Sequence, residues 1–353
     1  MGTESIEASF LSIFALITFF IFLIISKYSF KIKNGVLLDT NFSKPQAFHE
    51  TPVSRSGGIA AILSLLVFFY IYYLLYSEIL YNYIFISLST FLIGFLDDLR
   101  LHIKPKNRLI LMILSLFILI YFLPINLFHV DIPILSYLLE NKLFSSIFVL
   151  ICFLFIINGA NLIDGFNGLL TFNLIIINFI LTFLNISNGN FEFSLILIAQ
   201  IIILLVFLLF NFPRAKIFMG DSGAYLFGSL AALNTVITNN LIASISSLFF
   251  CSLLFYPFFE VFFSFFRKIY QRKSPLYPDK EHLHMLSYAL IASKYGKSRA
   301  NFLNSVIINI IYLILVLPGL ILIDNAIFSR YWFFILLLIY LIIYSRLYRL
   351  TKN

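Results

Sequence analysis

Long hydrophobic segments recur along almost the whole chain and leave little room for any other kind of structure. A membrane-spanning helix needs about 20 mostly apolar residues. Eleven segments reach or approach that length, at 9–26, 57–76, 80–96, 109–123, 143–160, 169–186, 195–212, 222–238, 242–264, 301–323 and 331–345. The composition agrees, since 61% of the 353 residues are hydrophobic, 11% are charged and the mean hydropathy is +1.00. We therefore predict an all-α polytopic membrane protein, with 1–353 forming one integral membrane domain.

Basic residues decide the predicted orientation. With the N-terminus outside, 22 of the 24 Lys and Arg fall on the inner side of the eleven spans, and only Lys142 and Arg330 fall outside. Positive charge collects on the cytoplasmic side of membrane proteins, so we predict a cytoplasmic C-terminus and a large cytoplasmic loop at 265–300. The segment 124–142, with two prolines and three charges, is predicted to be an external loop. The net charge of +8 is thus spread over loops, which argues against a nucleic-acid-binding face.

Four aspartates lie at inner ends of the predicted spans, although none was used to set the orientation: Asp97, Asp98, Asp164 and Asp221. Carboxylates at membrane depth are costly and usually functional. Several on one face predict a cation site, and a cation suggests phosphate chemistry. Side chains of adjacent helical residues diverge by about 100°. One of Asp97 and Asp98 can therefore face a metal while the other faces a substrate or base; a helix end paired with a base is the structural alternative.

A polar block ends the fifth predicted span. Asn158, Asn161 and Asp164 are spaced i, i+3, i+6, which places them near one helical face. Gly165 and Gly168 follow and would let a ligand approach the backbone closely. A polar stripe that only packs the bundle is the alternative.

Two glycine-flanked helix starts are candidate anion sites. Asp221 and Ser222 open the eighth span, where free N–H groups attract phosphate and Asp221 would hold a metal; simple helix capping is the alternative. Gly57 and Gly58 open the second span in the same way. Arg55, just before them, is either a membrane anchor or an anion ligand.

The large inner loop carries two histidines among basic residues. His282 and His284 are spaced i, i+2, so they do not share a helix face and do not predict a zinc helix motif. We expect the histidines to bind an anion together with basic residues of the loop: Arg267, Lys268, Arg272, Lys273 and Lys280. A solvated basic loop is the alternative.

Two further features surround this loop. Leu283, Leu286, Leu290 and Ile291 recur at helical spacing and predict an amphipathic helix on the membrane surface. Glu260, inside the ninth span, is interpreted as a buried, hydrogen-bonded acid.

Taken in order, these blocks resemble the polyprenyl-phosphate N-acetylhexosamine-1-phosphate transferases over roughly residues 39–300. The resemblance implies eleven helices in a bacterial inner membrane, an active site on the cytoplasmic face, and Mg²⁺, for which Mn²⁺ can substitute. It also implies transfer of a HexNAc 1-phosphate from a UDP-HexNAc to undecaprenyl phosphate with release of UMP, the first membrane step of a cell-surface glycan such as lipopolysaccharide or cell wall. A homodimer is compatible with this interpretation.

The site residues implied by the resemblance can be set out by role. Catalytic roles fall to Asp97, Asp98, Asp164, His282 and His284. Substrate binding falls to Asn158, Asn161, Asn167, Phe218, Arg55, Lys280 and Arg272, and metal binding to Asp221 and Asp98. Two departures stand out, because many relatives have Asp where this chain has Asn167 and His where it has Met285.

Three functions compete at this point. The block pattern looks like the GlcNAc-1-phosphate branch. The peptidoglycan enzymes, the phospho-MurNAc-pentapeptide translocases, typically carry a run of three histidines, and they are the first alternative. An ion-coupled transporter is a distant one, because it predicts acids near mid-membrane and an internal repeat, and this chain shows neither.

Overall fold

The computed structural model describes residues 3–29, 36–40, 52–101, 103–123, 125–275, 277 and 279–352. The residues Lys31, Lys33, Lys44, His49 and Pro278 lie outside these ranges. The helices are α1 (Thr3–Tyr28), α2 (Gly57–Tyr76), α3 (Tyr81–Asp98), α4 (Pro105–Phe122), α5 (Pro133–Leu139), α6 (Lys142–Ile163), α7 (Leu169–Ser187), α8 (Phe191–Asn211), α9 (Gly220–Leu241), α10 (Ser247–Leu253), α11 (Phe255–Tyr270), α12 (Leu283–Tyr295), α13 (Lys297–Ile321) and α14 (Ala326–Lys352). Two short antiparallel strands, β1 (Leu38–Asp39) and β2 (Val53–Ser54), precede α2.

Apolar helices of membrane-spanning length make up most of the fold. Among the described residues, eight are long and apolar enough to cross a membrane: α1, α2, α4, α6, α7, α8, α13 and α14. The bent pair α10–α11 makes a ninth if it is one span. The prediction of an all-α polytopic membrane protein is therefore confirmed.

Helix α9 forms the centre of the bundle. Of its 22 residues, 18 are buried, and small residues allow its neighbours to approach closely. A Cβ added at Gly94 of α3 would lie 2.4 Å from the carbonyl oxygen of Asp221. A Cβ at Gly228 would lie 2.9 Å from Ala160 of α6. Because α9 faces protein instead of lipid, it can be more polar than the helices around it.

The predicted span at 242–264 differs from the structure in its bounds. The chain forms α10 and α11, which are bent by 75° at a short break. Pro257 lies four residues after Leu253 and has no N–H to donate to its carbonyl. The hydroxyl of Tyr312 in α13 donates to that carbonyl instead. Gly159 of α6 packs on this break, since a Cβ there would lie 2.2 Å from the carbonyl oxygen of Pro257.

Helix α12 forms where an amphipathic helix on the membrane surface was predicted. Leu283 and Leu286 are buried, and Leu290 and Ile291 are half-buried. The helix packs against α13 and α14, so its apolar side is covered by protein.

Asp131 stabilises the end of the bundle that lies away from the four aspartates. The hydroxyl of Ser246 donates to Asp131 at 2.6 Å and the N–H of Ser247 donates to it at 2.8 Å. The imidazole of His129 lies 3.2 Å from the same carboxylate. These contacts fix the 125–132 segment against the start of α10.

Candidate active site

One guanidinium joins carboxylates from two different helices. Nη1 of Arg108, near the start of α4, lies 2.7 Å from Oδ2 of Asp97 at the end of α3. The same nitrogen lies 2.9 Å from Oδ2 of Asp221 at the start of α9. The three side chains are 21% to 27% exposed, so a ligand can reach the cluster. The structure thus brings Asp97 and Asp221 together from distant parts of the sequence.

Asp98 faces α9 and not the open side of this cluster. Its side chain is completely buried, and its oxygens accept hydrogen bonds from the N–H groups of Asp221 at 3.0 Å and Ser222 at 2.9 Å. Gly220 has a φ of +76°, and a Cβ there would lie 2.7 Å from Oδ2 of Asp98. Asp98 therefore caps α9. The expectation that these N–H groups are free for a phosphate is wrong, because this carboxylate already accepts from them.

Arg55 lies on the other side of Asp98. Its guanidinium donates to Oδ2 of Asp39 at 2.6 and 3.1 Å, and Nη1 lies 3.7 Å from Oδ1 of Asp98. Burial lowers the pKa of Arg55, but the carboxylates of Asp221, Asp39 and Asp98 outweigh burial and hold the pKa above its usual range. Arg55 is thus part of the charged cluster and not only a membrane anchor.

The start of α2 packs directly on the segment that leads into α9. The N–H groups of Gly57 and Gly58 donate to the carbonyls of Phe218 and Met219, both at 2.9 Å. The N–H of Phe218 donates in turn to the carbonyl of Ser54 at 2.8 Å. The expected free N–H groups of Gly57 and Gly58 are therefore engaged, and Phe218 contributes its backbone to this junction.

Helix α6 brings one of its predicted polar side chains to the cluster. Nδ2 of Asn161 donates to Oδ1 of Asp221 at 3.0 Å. Asn158 instead donates to the carbonyl of Leu154 in its own helix at 2.7 Å. Asp164 follows the last residue of α6, and burial, strengthened by the charge of Asp221, raises its pKa to about 8. The raised pKa favours the protonated carboxyl of Asp164, the form that can donate a hydrogen bond.

The loop between α6 and α7 is fixed by its amide groups. The N–H of Asn167 donates to Oδ1 of Asn301 in α13 at 2.8 Å, and its side chain donates to the carbonyl of Pro213 at 2.9 Å. A Cβ added at Gly165 would meet no atom within 4 Å. The backbone at Gly165 thus faces open space, as close approach of a ligand requires, while Asn167 holds the loop in place.

A buried cluster contains both predicted histidines. Nδ1 of His282 lies 3.2 Å from Oε2 of Glu260, and Nδ1 of His284 lies 3.5 Å from Oε1. The two rings are parallel, with centroids 5.5 Å apart. Nε2 of His282 lies 3.3 Å from Oδ1 of Asp279, and the ring of Phe166 meets His284 edge-on at 5.8 Å. The interpretation of Glu260 as a buried, hydrogen-bonded acid is confirmed, and the histidines lie beside the α6–α7 loop.

Two of the basic residues expected to bind anions are already paired within the protein. Arg267 lies 3.0 Å from Asp279 and 2.8 Å from Glu281, and Lys268 donates to a backbone carbonyl of the loop at 2.7 Å. Arg267 and Lys268 therefore shape the loop. The other basic residues expected to bind anions are exposed: Arg272, Lys273 and Lys280.

Asp97 and Asp221 are the carboxylates that fit a divalent cation. Across the part of the chain that the structure describes, no three His, Cys, Asp or Glu side chains converge as a metal site. Mg²⁺ does not require three, because it keeps several waters and binds through one or two carboxylates plus substrate phosphates. The part-exposed Asp97 and Asp221 meet that requirement. Both oxygens of Asp98, in contrast, are bonded to backbone N–H groups.

Comparison with known proteins identifies the family of this chain. Residues 80–239 match the model of glycosyl transferase family 4. An undecaprenyl-phosphate alpha-N-acetylglucosaminyl 1-phosphate transferase of Thermotoga maritima is 28% identical over 271 residues, 76% of this chain and 78% of that protein. Phospho-N-acetylmuramoyl-pentapeptide-transferases of Dictyoglomus turgidum and Dictyoglomus thermophilum are 30% and 32% identical, over 63% of this chain and 73% and 72% of their own lengths.

The chain belongs to glycosyl transferase family 4. It is therefore a membrane-embedded transferase, as the resemblance of its sequence blocks implied. The matched residues 80–239 contain all four aspartates, whereas the histidine loop lies beyond them.

Several residues of the site were not predicted from the sequence. Arg108 was predicted only as a basic residue on the inner side of the membrane, and the charge of Asp39 was not considered. Asn301 and Asn304, three residues apart on α13, bond Asn167 and the carbonyl of His284. Asparagine at that spacing in an apolar helix was the one available signal for them, since a polar stripe in a membrane span requires partners.

Proposed function

We propose that this chain transfers a HexNAc 1-phosphate, such as GlcNAc 1-phosphate, from a UDP-sugar to undecaprenyl phosphate and releases UMP. The supporting observation is the meeting of Asp97 and Asp221, held by Asn161 and Arg108, at one end of a membrane helix bundle. Donor and acceptor both carry phosphate, so the reaction chiefly requires charge neutralisation and positioning. The Thermotoga relative carries a name that matches this reaction.

The proposed cofactor is Mg²⁺ held by Asp221 and Asp97, with Mn²⁺ as a substitute. When bound, the ion supplies positive charge that the two phosphates share. Asn161 orients Asp221 through its side-chain amide. Arg108 lies against both carboxylates and is placed to donate to a phosphate oxygen, while Arg55 balances the buried charge of Asp98.

The acceptor needs little help from a base. A phosphate monoester has a second pKa near 6, so it is largely ionised and can attack the sugar-bearing phosphate directly. In this scheme Asp97 orients the acceptor, and Asp164 donates a hydrogen bond beside the open backbone of Gly165. The histidines, with the exposed Arg272 and Lys280, bind the sugar or a phosphate of the donor.

The finer topology is also a proposal. Helices α3 and α9 are 18 and 22 residues long, and they would bring the nine apolar spans to eleven. Since α9 is lined by protein, its polar residues do not argue against a crossing. With the N-terminus outside and the C-terminus inside a bacterial inner membrane, the aspartates face the cytoplasm, the side that the positive charge of the loops favours.

A second candidate is transfer of phospho-MurNAc-pentapeptide to the same lipid. Two Dictyoglomus relatives carry that name and are 30% and 32% identical. The histidine block favours the HexNAc reaction, because this chain has two separated histidines where the peptidoglycan enzymes typically have three in a row.

Mass spectrometry of the lipid product distinguishes these candidates. Membranes containing the chain would receive undecaprenyl phosphate, Mg²⁺ and one donor at a time from a panel of UDP-HexNAc sugars and UDP-MurNAc-pentapeptide. We expect a lipid diphosphate-HexNAc and UMP, and neither with an Asp221→Asn variant. A product formed only from UDP-MurNAc-pentapeptide would support the second candidate, and no product from any donor would contradict both.

A further inference from the structure

Glu260 is a buried carboxylate in a membrane helix with two imidazoles beside it. Its exposure is 1%. Oε2 accepts from His282 at 3.2 Å, and Oε1 lies 3.5 Å from Nδ1 of His284 with no hydrogen-bond partner among the described residues. An ionised carboxylate in an apolar interior is unfavourable unless it is paired. The two rings therefore make this charge tolerable, and the charge in turn determines how the rings are held.

The two imidazoles have different surroundings. His282 has a carboxylate at each nitrogen, Glu260 at Nδ1 and Asp279 at Nε2, so both nitrogens are used within the protein. His284 has Glu260 and the hydroxyl of Tyr256 at Nδ1, each at 3.5 Å. Its Nε2 is buried and has no hydrogen-bond partner anywhere in the described ranges of the chain.

A buried polar nitrogen without a partner is unfavourable, and a ligand hydroxyl that donates to it would remove that cost. The ring of His284 touches Phe166 in the α6–α7 loop, next to Asp164 and the open backbone of Gly165. A sugar hydroxyl bound at this loop, which can donate to Nε2, is therefore a suitable partner.

We propose that Glu260 is a positioning residue for the transfer reaction. It keeps a proton on Nδ1 of each imidazole, holds His282 in the loop, and leaves Nε2 of His284 as the hydrogen-bond acceptor that meets the substrate. A carboxylate that bonds one nitrogen of an imidazole sets the tautomer and orientation of the ring in this way. This inference rests on the proposed function, because it assumes that the histidines serve sugar-phosphate transfer.

Glu260→Gln tests the charge while keeping the shape of the side chain. The matched control is Glu281→Gln, which removes a carboxylate from the same loop that bonds Arg267 and Gln271 but neither histidine. We expect E260Q to lower kcat about tenfold or more, equivalent to ~1.4 kcal/mol, with little change in KM for the UDP-sugar. The control should keep kcat within about threefold.

The pH dependence separates positioning from simple structural support. The other titratable groups facing the Glu260–imidazole cluster are Asp279, Tyr256 and Tyr340, and E260Q leaves them in place. Loss of the negative charge should move the limb of the pH–rate profile that reports imidazole ionisation to lower pH. A variant that only unfolds more easily would scale the whole profile without moving it.

A second variant covers the case in which E260Q does not fold. Glu260→Asp keeps the charge but withdraws it by one methylene, so kcat should fall while the limb stays at its wild-type pH. A wild-type rate in either folded variant, or an unmoved limb in E260Q, would overturn the inference. If the wild-type chain itself forms no lipid product, the proposed function fails first, and the two failures are thereby distinguished.

Discussion

Asp97 and Asp98 are adjacent in the chain but have different surroundings. Asp97 is part-exposed and shares Arg108 with Asp221, whereas Asp98 is fully buried and accepts from two N–H groups of α9. We expect Asp97→Asn to lower turnover by more than about 100-fold with an unchanged thermal unfolding midpoint. Asp98→Asn should instead lower the free energy of unfolding by roughly 1–3 kcal/mol, because a buried donor loses its acceptor.

Thermal unfolding and lipid-product assays on both detergent-purified variants check this pair. Asp39→Asn is a useful comparison, since it removes a partner of Arg55 without touching α9. The reverse pattern, with Asp97 stabilising the fold and Asp98 dispensable for stability, would show that the cap and the metal ligand have been assigned the wrong way round.

The carboxylate of Asp221 accepts from Arg108 of α4 and Asn161 of α6 at the open side of the cluster. We expect Asp221→Asn to nearly abolish turnover and to raise the Mg²⁺ concentration needed for half-maximal rate, while the protein stays folded. Glu192→Gln, at an exposed acid in the first turn of α8, is the control. Activity within about threefold of wild type would correspond to a change below ~0.7 kcal/mol in the barrier. It would mean that Asp221 has only a structural role at the start of α9.

At the scale of helices, the site depends on how closely α3 approaches α9. A Cβ at Gly94 would lie 2.4 to 2.5 Å from backbone atoms of Asp221 and Ser222, which cannot move as a flexible side chain would. Gly94→Ala should therefore push the helices apart, lower the free energy of unfolding by about 1–3 kcal/mol, and reduce turnover by separating Asp97 from Asp221.

Gly319→Ala in α13 is the matched control for this helix contact. The atom nearest to the added Cβ would be a ring carbon of Phe249 at 3.3 Å, and this ring can shift slightly. The unfolding midpoint and the lipid-product rate should both stay near wild type in G319A. Equal effects of the two substitutions would contradict the importance of the α3–α9 approach.

For the whole molecule, the orientation is open to direct test. The charge distribution predicts that Gly189 lies outside and the segment around Ser274 lies inside. Single cysteines at these positions, introduced after removal of Cys152 and Cys251, should react with a membrane-impermeant maleimide in intact cells at Gly189 but not at Ser274. The opposite pattern would place the aspartates on the outer face and contradict a cytoplasmic active site.

The order of membrane segments could be predicted from the sequence. All eleven predicted segments overlap helices of the structure, because the length of an apolar run depends on bilayer thickness and not on its neighbours. Alternation of the spans then placed Asp97, Asp98, Asp164 and Asp221 at one end of the bundle. The bend between α10 and α11 was missed, although Pro257 was a local signal for it; the partner of the freed Leu253 carbonyl, the Tyr312 hydroxyl, comes from another helix.

The sequence by itself determined that this is an α-helical membrane protein whose acids gather at one end, because hydrophobic length and the position of charges act locally along the chain. Only the tertiary structure decided which aspartate is open to a ligand and which caps a helix. Whether Asp97 or Asp98 meets Arg108 depends on how α3 packs against α9, and the close approach at Gly94 and Gly220 joins residues distant in sequence. The pairing of Glu260 with the histidines likewise exists only where the loop folds back on α11, so no local pattern could have indicated it.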